Sequence, residues 1–170
     1  HLLKKQGAKI KYMNFKKENN EIRGDILIKN CKLKPIKADK TYYSNATDEY
    51  PILFVIAALV KGTSIFKGIK DLANKESNRI KEMQNILTQI GIKSISSKDS
   101  LKIFGKGIFN AENKKIIVSN LGDHRICMSA FVLALLTGAT TKIKNFETVN
   151  TSSPSFLKIM KYLGAKFEKN

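Results

Sequence analysis

Hydrophobic and polar positions along the chain switch between a period of two and a period of about 3.6, which predicts short strands interleaved with helices. The predicted strands are residues 8–15, 22–29, 62–69, 92–95, 101–104, 115–119, 140–146 and 165–167. The predicted helices are residues 2–6, 47–61, 74–90, 123–136 and 153–163. Strands that alternate with helices in this way indicate an α/β fold.

The predicted helices are of two kinds. Segments 47–61 and 123–136 are apolar on nearly every side, so each should be covered on every side by other elements. Segment 74–90 is amphipathic instead, because its apolar residues recur at helical spacing on one face, at Ile80, Met83, Ile86, Leu87 and Ile90. The pattern therefore predicts central buried helices with outer layers packed around them.

The order of these elements repeats within the chain. The segment AALVKGTSIFKGIKDL is echoed by LALLTGATTKIKNFET, and IKEMQNILTQIGIKSI is echoed by FLKIMKYLGAKFE. A partial third copy, HLLKKQGAKIKY, opens the sequence. Self-similarity at this length predicts a domain built from repeated supersecondary units, with buried helices wrapped by sheets.

Composition places the chain among folded globular proteins, with 42% hydrophobic and 26% charged residues in 170. That length suits one domain or a piece of a larger protein. Two cysteines, Cys31 and Cys127, do not make a disulfide framework, so a cytoplasmic location is expected. The apolar runs are too short to cross a membrane, and the few histidines and cysteines lack the spacing of metal ligands.

A net charge of +17 raises the question of a polyanionic partner. The lysines are spread over the whole length, and there is no arginine-rich run or aromatic stacking strip of the kind that single-strand binders use. We therefore do not expect nucleic acid as a partner. A basic nucleic-acid-binding module stays an alternative, and it would require lysines concentrated on one face and a steep salt dependence of binding.

Only three of the 31 basic residues are arginines, and two of them lie in short clusters with other charged or proton-transferring side chains. Arg79 closes Lys75-Glu76-Ser77-Asn78-Arg79, and Arg125 closes Asp123-His124-Arg125, each where a helix is expected to begin. Cations at a helix N-terminus oppose the helix dipole, so capping alone does not explain them. Two cations, a carboxylate and free backbone N–H groups predict an anion site with a proton-transfer group beside it.

Four helix starts carry residues that are good N-caps, namely Thr47, Asn74, Asp123 and Ser153. Capping alone is a sufficient account of these four. For the first cluster, we further expect Lys75 and Arg79 to share one helix face, because they are four residues apart.

Three stretches together resemble a known family: DEYPILFVIAALVKGTSIFKGIKDLANKESNRI, LGDHRICMSAFVLALLTGA and TSSPSFLKIMKYLGA. They are similar to the C-terminal part of 5-enolpyruvylshikimate-3-phosphate synthases (3-phosphoshikimate 1-carboxyvinyltransferases). The resemblance implies an inside-out α/β barrel of repeated βαβαββ units with buried central helices. It also implies that residues 1–170 form a single domain, most of the C-terminal domain of a two-domain enolpyruvyl transferase.

The resemblance implies transfer of the enolpyruvyl group of phosphoenolpyruvate to the 5-hydroxyl of shikimate 3-phosphate, with release of phosphate and no metal or organic cofactor. This is a step of the shikimate pathway toward aromatic amino acids. Asp48 is implied to contact the shikimate hydroxyls and help accept the proton, Lys75 to bind near that hydroxyl, and Glu76 to transfer protons. The complete enzyme is expected to be a monomer.

Arg79 and Arg125 are implied to grip phosphoenolpyruvate, with His124 beside them. Thr151 stands where some family members have a lysine, so one phosphoenolpyruvate contact and glyphosate sensitivity are open. The Lys-Ser dyad and the Asn-[Ala/Ser]-Gly-Thr loop of the family's N-terminal domain are missing from this sequence. We therefore expect no synthase activity from this chain alone, and weak phosphoenolpyruvate binding at best.

Further alternatives stay open at this point. The chain could be the catalytic half-site of a longer enzyme, or a degenerate or split-gene remnant without catalysis. The sister transferase that acts on UDP-N-acetylglucosamine is disfavoured, because the Lys-Glu-Ser-x-Arg motif followed by Asp-His-Arg is typical of the shikimate enzyme.

Overall fold

A β-hairpin follows the first short helix and stands apart from the other sheets. In the computed structural model, which describes residues 1–119 and 121–168, helix α1 is Leu2–Lys5, strand β1 is Lys9–Glu18 and β2 is Glu21–Lys29. The strands are antiparallel, with a register shift between Met13 and Lys16. All of β2 is exposed, so this hairpin adds little to the core.

One complete βαβαββ unit follows the hairpin. Its elements are β3 (Lys37–Ala38), α2 (Tyr43–Ala46), α3 (Tyr50–Ala58), β4 (Gly62–Lys67), α4 (Arg79–Gln89), β5 (Lys93–Ser97) and β6 (Ser100–Gly105). Here α2 is a single turn that leads into α3. The four strands form one sheet in the order β3-β4-β6-β5, in which only β3 and β4 run parallel. Short 3-10 turns at Lys40–Tyr42, Thr47–Glu49 and Lys70–Asn74 connect these elements.

A second unit begins in the same way. Its elements are β7 (Lys115–Val118), α5 (His124–Thr137), β8 (Thr140–Ile143), a 3-10 turn at Phe146–Thr151 and α6 (Phe156–Tyr162). Strands β7 and β8 are parallel and joined through α5, as β3 and β4 are joined through α3. The predicted repeat of a buried helix, a strand and an outer helix is therefore confirmed.

The core lies where α3 packs against α5 and the four-stranded sheet, and where α5 packs against β7 and β8. The rings of Phe54 and Phe66 meet edge to face at 4.9 Å between centroids. Gly105, at the end of β6, lies so close to α3 that any Cβ would overlap the carbonyl oxygens of Ala57 and Val60. Burial of these apolar side chains is the dominant stabilising contribution to the fold.

Several predictions about element boundaries, helix caps and helix burial are wrong. Segment 165–167 is not a strand, and α5 is not covered on every side, because Leu135 and Leu136 are 41% and 54% exposed. The segment 47–61 is a 3-10 turn followed by a shorter helix, so Thr47 is no cap, and its hydroxyl donates to the carbonyl of Tyr43. Before α6 the cap position falls at Ser155 rather than Ser153.

The start of α4 differs from the prediction in a way that matters for the site. The helix begins at Arg79, and its N-cap is Asn78, whose side chain accepts a hydrogen bond from the N–H of Lys81. Asn74 ends a 3-10 turn, and Lys75 follows it in extended backbone. Two asparagines spaced by one helical turn both satisfy the cap rule, and the later one is used here. Every helix in the described ranges is too short or too polar to cross a membrane.

Candidate active site

Three separate segments bring charged side chains together at the N-termini of the central and outer helices. Asp48 lies in the 3-10 turn that leads into α3, Arg79 is the first residue of α4, and Asp123 is the N-cap of α5. Arg79 and Asp123 are fully buried, whereas the Asp48 side chain is about half exposed. We call Asp48, Glu76, Arg79, Asp123 and Arg125 the charged cluster.

Arg79 is bonded to three carboxylates at once. Its Nε donates to Oδ2 of Asp123 at 2.9 Å, its Nη1 donates to Oδ1 of Asp48 at 2.9 Å, and its Nη2 donates to Oε2 of Glu76. Burial opposes the guanidinium charge, but the hydrogen bonds to Asp123 and Asp48 outweigh it and raise the pKa of Arg79. The arginine is therefore held charged inside the protein.

Asp123 uses both of its oxygens. Oδ1 accepts the backbone N–H groups of Arg125 at 3.0 Å and Ile126 at 3.3 Å, which is the ordinary N-cap arrangement. Oδ2 accepts Nε of Arg79 and the hydroxyl of Ser77, each at 2.9 Å. One carboxylate thus joins the start of α5 to the segment before α4.

Arg125 reaches the same carboxylate as Arg79 from the opposite helix. Its Nη2 pairs with Oδ2 of Asp48 at 3.0 Å, and its Nη1 donates to the backbone carbonyl of Asp48 at 3.1 Å. The hydrogen bond from Arg79, followed by the charge of Arg125, lowers the pKa of Asp48 although partial burial opposes this. Because the Arg125 side chain is 30% exposed, a solute can reach this guanidinium.

The side chains of His124 and Thr151 are hydrogen-bonded to residues outside the cluster. Nε2 of His124 is hydrogen-bonded to the hydroxyl of Ser152 at 3.1 Å, and Thr148 donates to the carbonyl of Gly122 at 3.0 Å. The turn before α6 is therefore tied to the start of α5. Thr151 is exposed, and its hydroxyl donates to the carbonyl of Thr148 rather than to a residue of the cluster.

The structure corrects part of the predicted arrangement and adds to it. Lys75 and Glu76 precede α4, so the prediction that Lys75 and Arg79 share a helix face is wrong. Lys75 is exposed, yet near enough to Asp48 to help lower the pKa of that carboxyl. Sequence reasoning treated Asp123 as a cap only and missed Ser77. The one signal available in the sequence for a second role of Asp123 was that capping uses only one of its two carboxylate oxygens.

The cluster presents cations and carboxylates to solvent side by side. Arg125 and Lys75 present positive charge to solvent, and the carboxylates of Asp48 and Glu76 lie half exposed beside them. Among the described residues, no three His, Cys, Asp or Glu side chains are grouped to hold a metal ion. A cavity of about 880 Å³ lies elsewhere, between α5, β8 and the C-terminal residues, and none of the cluster lines it.

Comparisons with known proteins show the family to which the chain belongs. The family model for EPSP synthase (3-phosphoshikimate 1-carboxyvinyltransferase) matches residues 1–160. The chain belongs to the EPSP synthase family. It is 35% identical over 157 residues to the 3-phosphoshikimate 1-carboxyvinyltransferase of Thermoanaerobacter sp. (strain X514), covering 92% of this chain and 36% of that relative. It is 34% identical over 169 residues to that of Legionella pneumophila (strain Corby), covering 99% and 38%.

Solved structures confirm the predicted fold class. EPSP synthase from Acinetobacter baumannii superimposes with a TM-score of 0.89 at 32% identity, over 98% of this chain and 38% of that one. The enolpyruvyl transferase NikO from Streptomyces tendae gives a TM-score of 0.65 at 14% identity, over 97% and 34%, and shows the shared fold alone. The chain thus spans little more than a third of the length of these EPSP synthases.

Proposed function

We propose that this chain is the C-terminal half-site of a 3-phosphoshikimate 1-carboxyvinyltransferase and forms a single domain of that enzyme. The observation that carries the proposal is the convergence of three distant motifs on one charged cluster. Asp48, Glu76 and Arg125 come from three different segments. Asp48 and Glu76 are hydrogen-bonded to Arg79, and Arg125 is bonded to Asp48. Membership of the EPSP synthase family supports the reaction.

The reaction needs a group that takes a proton and another that delivers one. Enolpyruvyl transfer protonates the methylene carbon of phosphoenolpyruvate, and the 5-hydroxyl of shikimate 3-phosphate loses its proton as it adds to the neighbouring, phosphate-bearing carbon. The new methyl group then loses a proton as phosphate leaves, which restores the double bond. We assign proton transfer to Glu76, and acceptance of the hydroxyl proton to Asp48 with Lys75 nearby. The lowered pKa of Asp48 keeps that group ionised, and displacement from Arg79 by the substrate would raise its proton affinity.

The anionic substrate would meet the two arginines differently. Arg125 is partly exposed, so phosphoenolpyruvate can contact it at once, with His124 beside it. Arg79 has no exposed side-chain surface, and a substrate oxygen reaches its guanidinium only by displacing Asp48 or Glu76. Both of those carboxylates are about half exposed, so such an exchange requires no opening of the core.

The charges of the cluster cancel once Lys75 beside it is counted, and this supports the proposal that the half-site needs a partner domain. Three carboxylates, those of Asp48, Glu76 and Asp123, face the cations of Arg79, Arg125 and Lys75. A locally neutral cluster adds little attraction for a multiply charged anion beyond that of the chain's overall positive charge. We propose that the family's N-terminal domain supplies the further cations, and that this chain alone binds phosphoenolpyruvate weakly and has no synthase activity.

The proposal is tested by assaying phosphate release from phosphoenolpyruvate with shikimate 3-phosphate. The assay uses the isolated chain, and a chimera in which this chain replaces the matching third of the Thermoanaerobacter relative. We expect no turnover from the isolated chain and turnover from the chimera. An isolated chain that turns over both substrates would overturn the half-site proposal. A folded chimera without activity would support a degenerate remnant instead.

Variants of the chimera test the assigned roles. We expect Glu76→Ala to depress kcat much more than it changes KM, and Arg125→Lys to raise KM for phosphoenolpyruvate. Glu82→Ala, in the first turn of α4 and outside the cluster, is the matched control and should leave both parameters unchanged. Equal effects of Glu76→Ala and Arg125→Lys on both parameters would contradict the roles.

A further inference from the structure

Asp123 carries more hydrogen bonds than its position requires. A helix N-cap needs one side-chain oxygen, and Oδ1 already accepts the N–H groups of Arg125 and Ile126. Oδ2 accepts Nε of Arg79 and the hydroxyl of Ser77. The side chains of Asp123 and Arg79 are both 0% exposed. Their contact is therefore a second and separate use of the carboxylate.

Stability alone does not account for a buried ion pair at this place. Removing two charges from water costs free energy, and apolar side chains of similar volume often stabilise a core as well or better. A second capping aspartate shows the simpler case. Asp39 accepts the N–H and hydroxyl of Thr41, is exposed to solvent, and forms no ion pair with an arginine in the described residues.

We propose that Asp123, supported by Ser77, is a positioning residue that fixes the guanidinium of Arg79 and thereby sets where the carboxylates of Asp48 and Glu76 stand. The proposal rests on the proposed function, because it matters for the reaction only if those two groups move protons. The guanidinium is planar and rigid, so anchoring Nε also fixes the directions of Nη1 and Nη2. Those two atoms hold Asp48 and Glu76.

The contacts show each step by which Asp123 positions Asp48 and Glu76 through Arg79. The hydroxyl of Ser77 donates to Oδ2 of Asp123, the same oxygen that accepts Nε of Arg79. The hydroxyl therefore holds this oxygen in a fixed orientation toward Nε. Asp48 and Glu76 are half exposed and lie on segments that lack regular α-helix, so they depend on Arg79 for a fixed place. Asp123 touches neither of them through a hydrogen bond within the described residues, and it acts on them through Arg79.

The first test uses the Nε–Hε NMR signals of the 170-residue chain, of which there are only three, from Arg23, Arg79 and Arg125. In Asp123→Asn, the new amide still caps α5 through its oxygen, but its NH₂ group faces Nε and cannot accept. We expect Hε exchange of Arg79 to accelerate at least about tenfold. Asp39→Asn is the matched control and should leave the Arg79 signal unchanged.

The variant Ser77→Ala serves if Asp123→Asn fails to fold. It keeps the carboxylate and the cap and removes one donor to Oδ2, so we expect a smaller acceleration of Arg79 Hε exchange. Arg23, whose Nη1 pairs with Glu18 at 3.0 Å on the exposed hairpin, is the internal reference. An unchanged Arg79 signal in the folded variants overturns the proposal.

The second test measures Asp48, which separates positioning from simple electrostatics. Loss of the Asp123 charge alone would lower the pKa of Asp48, because one nearby negative charge disappears. Loss of the fixed Arg79 would raise the pKa of Asp48 toward its ordinary value, because the hydrogen bond from Arg79 is the main cause of the lowering. We expect a rise in Asp123→Asn, measured by carboxyl ¹³C titration. A fall or no change overturns the proposal.

Neither measurement involves a substrate. If the chimera fails to turn over while Arg79 and Asp48 respond as stated, the proposed function fails and the positioning role stands. If the chimera is active and Arg79 does not respond to Asp123→Asn, the positioning role fails and the function stands.

Discussion

Arg79 and Asp123 form an ion pair closed to solvent, with Nε 2.9 Å from Oδ2 and both side chains 0% exposed. Removal of one partner would leave the other charge buried. We therefore expect Asp123→Ala to lower the free energy of unfolding by about 3–5 kcal/mol, measured by urea denaturation. Asp39→Ala removes a cap but leaves no buried charge without a partner, so it should lower the free energy of unfolding by only about 1 kcal/mol. Equal losses in the two variants would contradict this account.

The contacts of Asp48 should make stability depend on acid pH. Its pKa in the folded chain is lower than the ordinary value of 3.8, so its contribution is present above that value and is lost as the pH falls through the lowered pKa. We expect Asp48→Asn to flatten the decline of stability over the acid range, measured by urea denaturation at several pH values. Asp71→Asn, on an exposed residue outside the cluster, should keep the steeper decline. A steeper decline in Asp48→Asn would contradict the sign.

Tyr50 buries a hydroxyl that has no hydrogen-bond partner among the described residues. Its ring packs against Phe54 and Phe66, each at 5.9 Å between centroids, and this contact survives loss of the oxygen. Burial raises the pKa of Tyr50 to about 12. We expect Tyr50→Phe to raise the free energy of unfolding by about 1 kcal/mol. Tyr162→Phe, at a residue 90% exposed, should change nothing, and a loss of stability in Tyr50→Phe would reveal a partner for the hydroxyl.

The two cysteines should differ in reactivity. Burial, with the charge of Asp123 as a second cause, raises the pKa of Cys127 to about 11, so its reactive thiolate is scarce near neutral pH. Cys31 is only partly buried. We expect a thiol reagent to modify Cys31 in the folded chain and Cys127 only after denaturation, counted by mass spectrometry. In Cys31→Ser the native chain should not react, and rapid labelling of that variant would contradict the burial of Cys127.

The sequence was sufficient to predict the repeated units. Buried and amphipathic helices differ strongly in pattern, so α3, α4 and α5 are identifiable from periodicity alone. Segment 165–167 was predicted wrongly, because three alternating residues suit a strand only where a neighbouring strand pairs with them. Pairing is a tertiary property that a local pattern does not contain.

The details of the candidate site were harder to predict. Asn74 and Asn78 are equally good caps, and nothing local selects the second, so Lys75 and Glu76 were placed on a helix that starts later. The burial of Arg79 and the second use of Asp123 depend on contacts across 44 residues of sequence. Capping rules consider neighbours along the chain, and they therefore account for Oδ1 of Asp123 but not for Oδ2.

Titration of the chain with phosphoenolpyruvate at low salt, observed on its three arginine Nε–Hε signals, tests the half-site most directly. We expect the Arg125 signal to shift with a Kd of about 1 mM or weaker, and Arg79 to follow as Asp48 or Glu76 is displaced. Arg23, on the exposed hairpin, should stay in place. An Arg125 signal that does not move, or that moves only in parallel with Arg23, would contradict a phosphoenolpyruvate site at this cluster.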